Sequence, residues 1–327
     1  MHAPSPASPT PSSDNAAAHN RLRPSRGMPA QNEPDGLTGW GTRPIARRQW
    51  LAASTWLCAA GAVAISGCTA SAARPGANPS TPDNTPMPIR LHRLGRPDVL
   101  LLGEQHDATE HHQLHLAAVQ ALVEVGELAA LVLEMSDTGH GTAALPASAS
   151  PQAVQQALAW RDSAWPWAAY GPAVMAAVAA GVPVLGGNLP RQRNAQVMKE
   201  PEWDSRVPAD TLQRQQNDVR VGHCNLLPPG QIPPMTRIQL ARDATLAQTA
   251  VGAVVRGKTV LVLCGSQHAH RQLGIPLHLP PGLRLTTVRL AADGPRTDDA
   301  TAFDAVWHTA PLPPVDHCAR LREQLGK

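Results

Sequence analysis

Directly behind a short apolar run, residues 99–102, the chain places Gly103, Glu104 and His106, and then His111, His112 and His115. A carboxylate and a neutral imidazole at this spacing can work as a general acid–base pair or ligate a divalent cation. Two more aliphatic runs end on groups of the same kind. Residues 129–133 deliver Glu134, Ser136 and Asp137, and residues 259–264 run into Gly265, Ser266, Gln267, His268 and His270. One acid at a strand end can merely cap the next helix, because negative charge complements the helix dipole. Three such ends point instead to a shared pocket, in which Glu104, His106, Glu134 and His268 could activate water as a hydrolase does, with or without a divalent metal. His111 and His115 share a helix face, but the spacing is not HExxH and implies no zincin. At most one of the helical imidazoles is expected in the pocket, with His115 at the surface.

A second set of residues suits a bound ligand. After the run 182–185 come Gly186, Gly187, Asn188, Leu189, Pro190 and Arg191. Arg191 can pair bidentately with a carboxylate or make a loop salt bridge. Tyr170 is the single tyrosine of the chain, set near Trp160, Trp165 and Trp167 in a sequence poor in aromatics. Its phenolate could ligate ferric iron; on the residues alone, a packed ring with its hydroxyl satisfied is the stronger reading. Asp243, inside a helix-period stretch, reads by itself as a solvated acid.

These residues need a scaffold that brings strand ends together. Residues 99–102, 129–133, 182–185 and 259–264 read as buried strands, and residues 284–290 alternate as an edge strand would. Helix-period segments at 111–125, 153–160, 172–180 and 236–255 lie between them. Strands alternating with helices predict an α/β fold, a mainly parallel sheet flanked by helices, with ligands gathering beyond the carboxyl ends of the strands. Residues 191–235 form a helical insertion between the third and fourth strands, of the kind that covers a site or makes a subunit contact. Residues 137–151 read as a loop, and residues 291–327 as a polar, turn-rich C-terminal tail.

The N-terminal quarter differs in composition. Residues 1–46 hold too few large aliphatic side chains to offset the cost of ordering and read as a disordered leader. Arg47 and Arg48 precede an apolar run at 51–65 that ends Ile65-Ser66-Gly67-Cys68. The run is too short for a membrane span and has the parts of a secretory signal, so leader and signal extend to residue 67. Its last four residues resemble a bacterial lipobox, in which Cys68 is lipidated and becomes the first residue of the mature protein. The paired arginines leave general and twin-arginine export both open. Residues 68–88 then read as a flexible tether and residues 89–290 as the folded domain. Thr69, where an aspartate would retain the protein at the inner membrane, points to an outer-membrane anchor facing the periplasm. Three cysteines remain in the domain and tail, which allows one bridge, Cys224 with Cys318, and leaves Cys264 buried at a strand end. The net charge is +3 with scattered basic residues, so no nucleic-acid footprint is present.

Taken in order, several segments resemble the ChaN-like haem-binding lipoprotein family, within the broader superfamily of TIKI/TraB proteins and erythromycin esterases. They are Leu102-Gly103-Glu104-Gln105-His106-Asp107 with His111 and His112, Leu133-Glu134-Met135, the stretch from Trp167 to Pro172, and Gly187-Asn188-Leu189-Pro190-Arg191. Gln239-Leu240-Ala241-Arg242-Asp243 and Gly265-Ser266-Gln267-His268 with Gly274-Ile275-Pro276 complete the set, which spans most of residues 95–280. The resemblance implies an α/β fold, a membrane-tethered lipoprotein, and haem at a homodimer contact with a tyrosine and a histidine near the iron. On that pattern Tyr170 is the iron ligand, Arg191 pairs with a propionate, and Asn188 and His106, His112 or His268 supply polar contacts. The expectation is a lipid-anchored haem-binding protein of haem or iron uptake rather than an enzyme. Its rival is the hydrolase built on Glu104, His106, Glu134 and His268.

Overall fold

The computed structural model describes residues 84–324, apart from 295 and 314. The leader, the signal, Cys68 and the tether up to residue 83 lie outside the described residues. In chain order the first half holds α1 (Met87–Arg93), β1 (Val99–Glu104), α2 (Thr109–Glu124), β2 (Leu128–Asp137), α3 (Pro151–Ala157), α4 (Trp167–Ala179) and β3 (Val184–Asn188). There follow α5 (Asn194–Val197), α6 (Ala209–Gly222), α7 (Ile232–Gly252), β4 (Thr259–Gly265) and α8 (Ser266–Ala269). The chain closes with β5 (Leu285–Ala291), α9 (Asp299–Ala302), β6 (Ala305–His308) and α10 (His317–Gln324).

The strands form one six-stranded sheet in the order β3-β2-β4-β1-β5-β6, and every pairing is parallel. The central strands carry apolar side chains on both faces, as a sheet covered on both sides requires. Leu100, Leu102, Leu131, Leu133, Leu261 and Leu263 face α2 and α4, where Ala118, Val119, Leu122, Ala173, Val174 and Ala177 meet them. Alternate residues Val99, Leu101, Val132, Val260 and Val262 face α7 through Leu246, Ala247 and Ala250. The direction of travel explains which helix covers which face. From β1 to β2 to β3 the chain moves one way across the sheet, with α2 and α4 on one face; from β3 back to β4 it reverses, and a right-handed crossover then puts α7 on the other.

The insertion between β3 and β4 contains α5 and α6 and packs on α7 through Leu189, Val197, Ile238 and Ala241. Cys224, just beyond α6, is disulfide-bonded to Cys318 in α10, and Cys264 is free and buried. Two features differ from the sequence reading. The alternation over residues 284–290 predicts an edge strand, whereas β5 lies between β1 and β6. Its polar residues meet partners from the α9 region instead of water: Arg289 pairs with Asp299 and Asp293, and Thr287 bonds Asp304. The polar tail therefore supplies both the sixth strand and the acids that satisfy the fifth. Among the described residues, no helix is long and apolar enough to cross a membrane.

Candidate functional site

Because all strands run in one direction, the carboxyl ends of β1, β2 and β4 open on the same side, and the order β2-β4-β1 makes them neighbours. Glu104 closes β1, Glu134 lies near the end of β2, and His268 sits in the single turn α8 that follows β4. Close approach here depends on missing side chains. A Cβ on Gly103 would lie 2.8 Å from Ala269 Cβ and from Ser266 Cα, so glycine lets α8 press against β1. A Cβ on Gly265 would lie 2.9 Å from His106 Nε2 and 3.6 Å from Glu134 Oε2, so glycine lets the imidazole lie over β4 beside the second carboxylate.

Glu104 is the hub of one half of the site. Its Oε1 accepts hydrogen bonds from the Tyr170 hydroxyl at 2.7 Å and from His106 Nδ1 at 2.7 Å. His112 Nε2 and His115 Nδ1 stand 3.4 and 3.6 Å from its Oε2, beyond good hydrogen-bond geometry, and Oε2 is buried without a hydrogen-bond partner. Burial works to raise the Glu104 pKa, but His115, His106 and the Tyr170 hydroxyl together hold it below the ordinary value, so the group is a carboxylate. That anion fixes its neighbours in turn. Burial and the Glu104 charge push the Tyr170 phenol far up, which keeps its proton on the oxygen. For His106, burial opposes protonation, and the Glu104 bond and the Glu134 charge outweigh it, raising the pKa.

Glu134 is the hub of the other half. Its Oε2 accepts the Gly265 N–H at 2.6 Å and its Oε1 lies 3.5 Å from His268 Nε2. His268 Nδ1 is 2.6 Å from Asp243 Oδ1, contributed by α7. Burial disfavours a charged His268, yet the two flanking carboxylates raise its pKa well above the ordinary value, so it stands as an imidazolium between them. Burial likewise pushes the Glu134 pKa upward, and His268, His106 and the Gly265 N–H bring it down to about 2. The result is a row of alternating acids and imidazoles along the strand ends, Asp243–His268–Glu134 and His106–Glu104–Tyr170, with His106 bridging the halves.

Only one member of the row is widely open to solvent. The His106 side chain is 41% exposed, while Glu104 is fully covered. Its ring meets the edge of Trp165 at 4.8 Å between centroids. Tyr170 is buried beneath, with His112 at 4.8 Å and Trp165 and Trp160 at 6.0 Å.

The structure thus brings together Glu104, His106, His112, Tyr170, Glu134 and His268. Asn188 is adjacent but spends its side chain on the backbone, donating to the Glu134 carbonyl at 2.7 Å and accepting from Leu189 N–H at 2.8 Å. Arg191 is exposed in the 3₁₀ turn Arg191–Arg193 after β3 and makes no ion pair among the described residues. His115, expected at the surface, is buried. It lies on the α2 face that carries Ala118, Val119 and Leu122 at i+3, i+4 and i+7, and this apolar stripe is the signal for its burial. Burial lowers its pKa, and that of His111, to about 4, so both are neutral at pH 7. Asp243 is a full member of the row; nothing in its own helix distinguishes it, since its role depends on the distance to His268. The divalent-metal expectation is not supported: among the described residues no three His, Cys, Asp or Glu side chains are arranged to hold a metal ion. The imidazoles are paired with carboxylates instead of converging on one point.

An α/β protein with a buried carboxylate–imidazole row at the carboxyl ends of a parallel sheet is the class that fold and site define. Residues 90–279 match the family model described as haem-binding uptake, Tiki superfamily, ChaN, and the chain belongs to that family. Among solved structures, the chain is similar to ChaN of Campylobacter jejuni, reported with cofacial heme binding, at 21% identity and a TM-score of 0.55 over 67% of this chain and 89% of that one. A second likeness, to the type III effector HopBA1, has 16% identity and a TM-score of 0.38 over 72% of this chain and 100% of that one, too distant to support an argument. No curated protein matches the sequence.

Proposed function

We propose that this chain is a lipid-anchored haem-binding protein of haem uptake, exported through its signal and held at the periplasmic side of the outer membrane by Cys68. The family supports haem as the ligand, and the Cys224–Cys318 bridge suits an oxidising compartment. The observation that carries the site is His106. Its Nδ1 is held by a buried carboxylate, the arrangement that orients an imidazole for a metal and raises its basicity, and its side chain is 41% exposed with its ring against Trp165. Bound haem would supply a ligand-accepting iron, and His106, the exposed imidazole of the row, is the residue that would hold it. Tyr170 would serve as a tyrosinate ligand only after giving up its proton and its bond to Glu104. Arg191, exposed at the neighbouring strand end, is the cation available to a propionate.

A hemin titration of the full chain tests this reading. Wild type should show a saturable Soret shift that moves in position or is lost in His106→Ala, and persists in Tyr170→Phe. No shift in wild type refutes haem binding; a shift lost in Tyr170→Phe and kept in His106→Ala returns the iron to the tyrosine.

One observation favours a second reading. Asp243–His268–Glu134 is a carboxylate–imidazole–carboxylate array of the type that moves protons in hydrolases. A metal-free hydrolase would lose all turnover in Glu134→Gln while keeping its hemin spectrum.

A further inference from the structure

The loops that lead into the strands lie at the end of the sheet opposite the carboxylate–imidazole row, and their surface has a character of its own. α1 lies at this end, where Leu91, Leu94, Pro97, Ala121 and Val125 line a cleft of about 430 Å³ between α1 and the turn from α2 into β2. Three large apolar residues at this edge are exposed: Ile89 at 47%, Val125 at 62% and Val255, just before β4, at 49%. Around them stand the exposed cations Arg93, Arg256 and Lys258, which form no ion pair among the described residues. Arg96 and Arg284 share the edge, paired with Glu127 and Asp98.

Apolar side chains ringed by unpaired cations suit an interface that offers hydrocarbon behind negative headgroups. The path of the chain points the same way. Residues 69–83 separate Cys68 from the first described residue, and α1 begins three residues later. A segment of that length reaches at most about 50 Å, which bounds how far α1 can lie from a lipid carried by Cys68.

We propose that the amino-terminal edge of the sheet, with Ile89, Val125 and Val255 among Arg93, Arg256 and Lys258, docks on an anionic phospholipid surface. The inference rests on the lipid-anchor reading above. Since the strands are parallel, this docking turns the His106 face away from the membrane and leaves it open to the periplasm.

The test uses the lipidated full chain in vesicles of phosphatidylethanolamine and phosphatidylglycerol that contain a headgroup-linked quencher. Cys224 and Cys318 are bonded and Cys264 is buried, so a thiol introduced at an exposed position takes the fluorophore. Labels at Glu124→Cys, on the docking edge, and Ser163→Cys, near Trp165, report the two ends. At least a two-fold greater quenching at position 124 is expected. It should fall to the level of position 163 in the Arg93→Glu, Arg256→Glu, Lys258→Glu triple variant, and when phosphatidylcholine replaces phosphatidylglycerol. Equal quenching at both positions, or a pattern untouched by the triple variant, overturns the docking while the anchor stands. Protein that fails to float with the vesicles overturns the anchor and the docking together.

Discussion

Replacing Glu134 with glutamine isolates the charge at the centre of the strand-end row. Burial pushes this carboxyl upward, yet His268, His106 and the Gly265 N–H hold it at about 2 against an ordinary 4.5. At about 1.36 kcal/mol per pH unit the difference corresponds to about 3 kcal/mol. The folded-state pKa is the lower one, so this stabilisation is complete above about pH 4.5 and is lost as the pH falls from there towards 2. Glutamine keeps an oxygen for the Gly265 N–H but no charge, and leaves His268 with Asp243 alone. Glu134→Gln is therefore expected to unfold with about 3 kcal/mol less free energy at pH 7, and to decline less steeply between pH 4.5 and 2, so that the two proteins converge in acid. Urea unfolding followed by tryptophan fluorescence, with the disulfide intact and the denaturant slope unchanged between variants, measures this. A variant as stable as wild type at pH 7, or one whose acid decline keeps the wild-type slope, would refute the account of Glu134 as an ion-paired carboxylate.

Three further outcomes follow from the same geometry. Gly265→Ala puts a Cβ 2.9 Å from His106 Nε2, so the imidazole must move; hemin affinity should fall at least ten-fold while the far-ultraviolet circular dichroism stays native. His111 and His115 are neutral when folded, with pKa values near 4, so the stability they contribute is present above about pH 6.5 and declines as the pH falls towards 4. His115→Gln should flatten part of that decline in a pH series of thermal melts, and an unchanged profile would count against its burial. Reducing the Cys224–Cys318 bridge, which closes a sequence separation of 94, should cost about 2–5 kcal/mol in urea unfolding.

Much of the scaffold is legible in the residues because both signals involved are local. Aliphatic runs such as residues 259–264 mark strands by burial, and Gly103 or Gly265 marks where a strand gives way to polar side chains. The 3.6-residue pattern of 111–125 marks α2. β6 and α9 escape the same reading because each is only four residues long, too short to show a period. What makes residues 299–308 regular is the pairing of Asp299 and Asp304 with β5, a contact between segments whose relation only the fold sets.

The division runs through the site as well. Residue type and strand-end position by themselves determine that Glu104, His106, Glu134 and His268 share one side of the molecule, since a parallel sheet leaves no other arrangement. The spacing from His115 to Ala118, Val119 and Leu122 carries the signal for its burial, although the residue itself reads as a surface imidazole and the structure corrects that. Only the tertiary structure decided who pairs with whom. Strand order sets β4 between β1 and β2, and so lets His106 reach across Gly265 to the second carboxylate. The return of α7 across the opposite face brings Asp243 to His268. The stacking of α4 on α2 aims the Tyr170 hydroxyl at Glu104, to which it donates a hydrogen bond. Hydrogen bonds and charge pairs act over about 3 Å, and no one-dimensional pattern fixes distances that short between residues so far apart in the chain.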